Sequence, residues 1–336
     1  MPALRHPLIQ RPSRGGQLGL AQPRKQQRSS ACRTLWRKCL VRAEGTHNSS
    51  ATFEASATVE RCLECFHSSN LDGLVQFLPD AVVDRCLQRK KDKLVTTPFK
   101  DLSFADLLDL STHGDFHMDA YAQRSLILSP PASVQMLSCL HVSADEFLQR
   151  YAVITASGEE MVITFRMQLE DSLVFLRSAT HLKKEWHLRG IMGEPATAEL
   201  PTQPQPRWGP ETVVLAQLEA FRENDLPTVY RFASPQSQLL SQSYGRFLQM
   251  MGNAVYRPLL GHREASLLRS VQMTRDKACV MVGVTSSSDV LGSNIPARCV
   301  YAWVLRLQED RKDAADLANC WLVDAVHPFT SRLYTM

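Results

Sequence analysis

VERCLECFHSSNLDGLVQF (residues 59–77) lies without a gap over VLAQLEAFRENDLPTVYRF (residues 214–232), at a constant offset of 155 that matches Val59 with Val214, Leu63 with Leu218, Glu64 with Glu219, Phe66 with Phe221, Leu71 with Leu226 and Phe77 with Phe232. A gapless match of this kind indicates a duplicated unit. Later landmarks recur at an offset of 135, Tyr121 as Tyr256 and Trp186 as Trp321, so the first copy is 20 residues longer between them. In both stretches the apolar positions fall at i, i+4 and i+7, which makes each an amphipathic helix with one buried face. Asn70 and Asp225 are the expected N-caps of a second short helix ending near Phe77 and Phe232, so a helical hairpin leads each copy.

The rest of each copy reads as one more helix and then strands. Helices are expected at 103–110 and 244–251. In the second copy the strand-like runs are 265–274, 277–285, 299–307 and 320–326. In the first they are 133–142, 148–155, 161–169, 172–178 and 185–192, all rich in β-branched and aromatic residues. Between the copies GEPATAELPTQPQPRWGP (193–210) carries prolines at 195, 201, 204, 206 and 210, and reads as an extended, semi-rigid spacer. The expected organisation is therefore a leader at 1–43, a short tail at 44–52, a first domain at 53–192, the linker at 193–210 and a second domain at 211–330.

With 336 residues, 44% hydrophobic and 21% charged, the chain has the composition of a soluble two-domain protein. No apolar run approaches the ~20 residues of a membrane-spanning helix. The net charge of +4 is unevenly placed: residues 1–43 hold ten Lys or Arg and no acid, which leaves 28 basic and 34 acidic residues, a net of −6, from Glu44 onward. A mildly acidic body offers no broad footprint for nucleic acid. The Arg-rich, acid-free leader has the composition of an organelle transit peptide. Val41-Arg42-Ala43 resembles a plastid Val-x-Ala cleavage site, which implies import into the chloroplast stroma and a mature start at Glu44. Mitochondrial import is the alternative, and a basic nucleic-acid arm a third reading. Nine cysteines, mostly inside apolar runs, point to a reducing compartment without structural disulfides.

Helices followed by antiparallel strands make an α+β unit in which a curved sheet wraps the helices. This order resembles the cone-shaped nuclear-transport-factor-2-like (cystatin-like) fold. The second copy resembles the family catalogued as domain of unknown function 4864, through ETVVLAQLEAFRENDLPTVYRFASP, GRFLQMMGNAVYRPLLGH and CWLVDAV between 211 and 326; the first copy keeps the hairpin and the terminal Trp strand only. The resemblance implies two tandem cone-shaped domains, each a helical hairpin plus a third helix on a curved antiparallel sheet, which could pair as an internal pseudo-dimer. Relatives include both enzymes and binding domains, so the fold does not choose a function.

The densest polar group in the second copy is Tyr256-Arg257-Pro258-Leu259-Leu260-Gly261-His262-Arg263. His262 is a candidate general base, Arg257 an anion clamp, and Asp324 or His327 their partner. The plainer reading turns His262 to the surface and leaves Tyr256 as packing. Tyr256, Arg257 and Trp303 are candidate ligand contacts, with Trp303 expected as an exposed hydrophobe of the sheet or cone mouth. His113-Gly114-Asp115-Phe116-His117-Met118-Asp119 would set four polar side chains on one face if it were a strand, a possible metal site, but Gly114 argues for a loop. Cys62 and Cys65 have redox spacing yet lie within a helix. Asn48-Ser49-Ser50 matches a glycosylation acceptor, irrelevant to an imported chain. Ser234-Pro235 reads as structural punctuation. The expectation is thus a binding or assembly module for a partner protein or a small apolar ligand, with no cofactor or metal. A cone-pocket isomerase or lyase is the alternative.

Overall fold

Ala55, Val59, Cys62, Leu63 and Phe66 line one face of α1 (Ser49–His67), and none is more than 3% exposed. The computed structural model describes residues 49–93, 102–112, 115–129, 131–176, 179–287, 296–309 and 315–329. The leader 1–43, with Cys32 and Cys39, the acceptor Asn48, and His113 and Gly114 lie outside the described residues. After α1 a 3-10 helix (Leu71–Phe77) returns the chain, followed by α2 (Asp80–Lys93) and α3 (Phe104–Leu110). Ser103 caps α3 in a reciprocal capping box with Asp106, as the expected boundary requires. A two-residue strand β1 (His117–Met118) and a short turn α4 (Ala120–Ala122) run into a π-helical stretch, Gln123–Leu128. Strands β2 (Pro131–His141), β3 (Glu146–Thr155), β4 (Glu160–Leu176) and β5 (Ala179–Pro195) form an antiparallel meander, and β1 joins its far edge parallel to β5.

The second half repeats this order in shorter form. Helices α5 (Pro210–Arg222), α6 (Leu226–Arg231), α7 (Pro235–Ser241) and α8 (Tyr244–Met251) precede the meander β6 (Glu264–Thr274), β7 (Lys277–Thr285), β8 (Arg298–Leu307) and β9 (Trp321–Pro328). Pro210 and Glu211 open α5, where proline is tolerated and an acid complements the dipole. Ala278, Val280, Val282 and Val284 of β7 face the core in strict alternation with Tyr301, Trp303 and Leu305 of β8.

Register irregularities recur at matching places. The β2–β3 ladder shifts at Met136/Ser138 and β6–β7 at Leu267/Arg269; β4–β5 shifts at Arg166/Met167 and β8–β9 at Val304/Leu305. Bulges re-aim strands locally, so the shared positions are a further mark of the common plan. Asp80 of α2 and Pro235 of α7 keep the offset of 155, so the extra 20 residues of the first copy fall between these starts and Tyr121.

Three expectations are corrected. The runs 161–169 and 172–178 are one strand, because β4 pairs continuously with β5 from Leu169↔Trp186 to Leu176↔Ala179 and Glu170 ion-pairs with Arg189. Helix α1 begins at Ser49, inside the stretch expected as a tail. The proline-rich 193–210 stretch, expected as a semi-rigid spacer, is shorter than its bounds and tied at both ends: β5 extends to Pro195, Glu160 N donates to Arg207 O at 3.1 Å, and Trp208 is buried in the second core.

Arg124, on the π-helical stretch, joins the halves from a wholly buried position. It donates to Glu159 (2.7 Å) beside it and, across the boundary, to Glu211 of α5 (2.9 Å) and Gln272 of β6 (3.1 Å). Its guanidinium also lies over the Tyr121 and Trp321 rings. Burial alone would favour the neutral group, but the two carboxylates outweigh it and hold Arg124 charged; burial pushes the Glu159 carboxyl up.

Candidate functional site

A cavity of about 420 Å³ opens in the second half between its four helices and β9. Ser234 caps α7 by accepting from Ser237 N at 3.2 Å with Pro235 at the first helical position, which bears out the reading of FASP as punctuation. Ser243 caps α8 in the same way, and its helix buries Phe247 and Met251 on one face. Tyr230, Tyr244 and Phe247 make an aromatic cluster, with Tyr230 5.2 Å from Tyr244 and 5.1 Å from Phe247, centroid to centroid. Tyr230 and Phe247 line the cavity with Phe221, Val229, Leu259 and Val323; Arg246, Ser237, Ser241, Asp324 and His327 add polar groups.

The inner polar atoms are already committed. Gln217 donates to Val229 O and accepts from Trp303 Nε1, both at 2.9 Å. Tyr256 OH donates to Val326 O at 3.1 Å, and burial pushes its phenol up. Asp324 pairs with Arg306 at 3.1 Å. Such a chamber suits an apolar body with a polar end at the rim.

Of the sequence-predicted residues, Tyr256 and Asp324 meet in this lining, with His327. His262 and Arg257 are not part of it. The His262 ring is buried, with Nδ1 2.9 Å from Leu259 O, so it fastens the turn after the 3-10 helix Arg257–Leu259 and is not a surface group. Among the described residues no hydrogen bond or ion pair links His262, Arg257 and Asp324 to one another. Trp303 is 0% exposed, a core residue and not a mouth hydrophobe, because its place on β8 faces α5 and its indole N–H needs Gln217. Sequence reasoning missed Tyr230, Arg246 and Phe247; the i, i+4 spacing of Phe247 and Met251 was their available signal.

The first half closes the corresponding place. Leu78, at the position of Ala233, is buried, and β1 pairs with Gly190 and Ile191 at the positions of Ala325 and Val326. A Cβ on Gly190 would come within 3.1 Å of His117 O, so glycine permits this cover. Phe104 and Phe116 then stack edge to face at 5.8 Å. Strand β1, within the longer first copy, thus covers the edge of β5 at the positions that line the cavity on β9.

The other constellations are structural. Asp115 is held by Arg85 (2.8 Å) and Arg89 (2.6 Å); burial would raise its carboxyl, but the two guanidiniums keep it well below the usual range. Asp119 caps α4 and accepts from Gly193 N at 2.7 Å. Cys62 and Cys65 sit on the buried face of α1, and burial pushes both thiols up, the reverse of an activated pair. Among the described residues no three His, Cys, Asp or Glu groups converge as metal ligands.

A family model described as a domain of unknown function (DUF4864) matches residues 209–293, which covers α5 to β7 and most of the cavity's helical wall. The second copy is therefore similar to that family. No curated protein matches the chain. Among the described residues no helix is long and apolar enough to cross a membrane.

Proposed function

We propose that the chain is a non-catalytic binding module of two tandem nuclear-transport-factor-2-like domains, in which the second holds a small, largely apolar ligand and the diverged first domain braces it. The observation that carries this reading is the cavity of about 420 Å³, lined by apolar side chains with a few polar groups, at the β9 positions whose first-half counterparts pair with β1. Its size falls in the ligand range of ~300–1,000 Å³. The buried clamp of Arg124 on Glu211 supports a fixed pairing of the halves. The leader 1–43 fits import into the chloroplast stroma, with the mitochondrion as the alternative address.

Titration with cis-parinaric acid, whose fluorescence rises in apolar surroundings, tests the pocket. Saturable one-to-one binding is expected, lost on Ala325→Phe, which fills the cavity from β9. Binding that Ala325→Phe leaves unchanged, or its absence in the parent chain, would overturn the reading. Intact mass of the endogenous chain from fractionated cells tests the address: a start near Glu44 inside plastids is expected, and a chain starting at Met1 outside organelles refutes it.

A further inference from the structure

Helix α7 has no buried residue, and Leu239 and Leu240 on it are 78% and 74% exposed. Neighbouring α8 turns Phe247 and Met251 inward and leaves Leu248 and Met250 exposed, with Val255 exposed just beyond. Leu240 and Met250 also line the cavity, so this outer apolar surface is continuous with the chamber. Scattered exposed leucines need no explanation, but a contiguous set around a pocket mouth does.

The segment that carries α7 and α8 has charge of one sign. From Leu226 to Arg263 there is no Asp or Glu, while Arg231, Arg246, Arg257 and Arg263 are all exposed. The net −6 of the chain from Glu44 onward becomes −10 when these four arginines are set aside, so the segment is a basic island on an acidic body. Arg246 stands in the cavity lining itself, and Asp324 within that lining is already paired with Arg306.

We propose that the second half docks α7 and α8 on an anionic membrane surface, with Leu239 and Leu240 entering the interface and Arg246 meeting the headgroups, so that the cavity exchanges its ligand with the bilayer. The inference rests on the apolar-ligand reading of that cavity. Leucines beside arginines, without acids, are what an interfacial helix needs to lie on an anionic bilayer without crossing it. A second copy of this chain is the poorer occupant, because a two-fold contact sets the same basic patch against itself.

Co-sedimentation of the full chain with phosphatidylcholine vesicles, with and without about a third phosphatidylglycerol, tests this at physiological ionic strength. Leader 1–43 is common to all variants and cancels in the comparison. Leu239→Asp/Leu248→Asp is expected to cut partitioning about tenfold, and Arg246→Glu about fivefold on anionic vesicles only. Leu239 and Leu248 are exposed and outside the cavity lining, so their double variant should retain cis-parinaric acid binding, while Arg246→Glu is read by partitioning alone. Partitioning equal to the parent chain in both variants overturns the proposal and leaves the pocket intact. So does a double variant that only converts a dimer to a monomer. Loss of partitioning in a chain that never bound cis-parinaric acid would uphold docking and sink the ligand reading.

Discussion

Arg124→Met would strip the junction between the halves of its cation while keeping an apolar stem in place. Arg124 Nη2 stands 2.7 Å from Glu159 Oε1 and 2.9 Å from Glu211 Oε2, with all three side chains no more than 3% exposed. Deleting one partner of a buried pair costs about 3–5 kcal/mol, since the remaining charge is neither solvated nor compensated. Here two carboxylates lose the same partner, so the upper end is expected. With a denaturant slope of about 3 kcal/mol per M, the urea midpoint at pH 7, followed by tryptophan fluorescence, should fall by about 1–1.7 M. The pH dependence carries a sign. Burial already raises the Glu159 carboxyl above 4.5, and without Arg124 it rises further. The folded variant then retains protons that the unfolded chain releases, so its stability falls as pH rises from the unfolded value through the raised folded one. The deficit should therefore be largest at neutral pH and shrink toward acid. Adding Glu159→Gln and Glu211→Gln should recover most of it. A stability within about 0.5 kcal/mol of the parent, or a deficit independent of pH, would mean that Arg124 does not hold the junction.

Trp303→Ala should cost about 3–5 kcal/mol in chemical denaturation, because it opens a core cavity and orphans Gln217; a loss under about 1 kcal/mol would return Trp303 to the surface. His262→Ala should lower stability by about 1 kcal/mol through its bond to Leu259 O. It should leave cis-parinaric acid affinity unchanged, and a large loss of affinity would bring His262 into the site. Native alkylation with iodoacetamide near pH 8, read by peptide mass spectrometry, should label exposed Cys139 first among the described cysteines. Cys62 and Cys320, buried and with thiols pushed up, the latter to about 11, should react only on unfolding; rapid labelling of Cys62 would contradict its packing.

Legibility followed the range of the forces involved. The expected helix at 244–251 and strand at 277–285 have the observed limits, and 103–110 differs only in that Ser103 is the cap, because caps, turns and apolar periods are local. The break expected near Glu170 failed for the opposite reason: a charged pair looks like a turn until a partner strand supplies Arg189. Helix α2 was not read from its sequence; Val82 and Cys86 are buried in the first core, while Arg85 and Arg89 pair with Asp115 and Lys90 with Asp106.

At the candidate site Tyr256, Asp324 and His327, each singled out in the sequence, line one chamber, without the His262 and Arg257 they were expected to partner. The sequence misplaced Trp303, since alternation along a strand names two faces without saying which one the helices cover, and His262, whose turn is buried by contacts with distant elements. What the sequence alone determined was the duplication, the helix-then-strand order and the extra 20 residues, all of which are recorded in spacing. Only the tertiary structure decided that β1 pairs with β5, that Arg124 clamps the halves, and that leucines of α7 stand in solvent beside an open cavity. Each depends on which distant surfaces meet, a choice set by packing and desolvation across the whole chain and written in no local pattern.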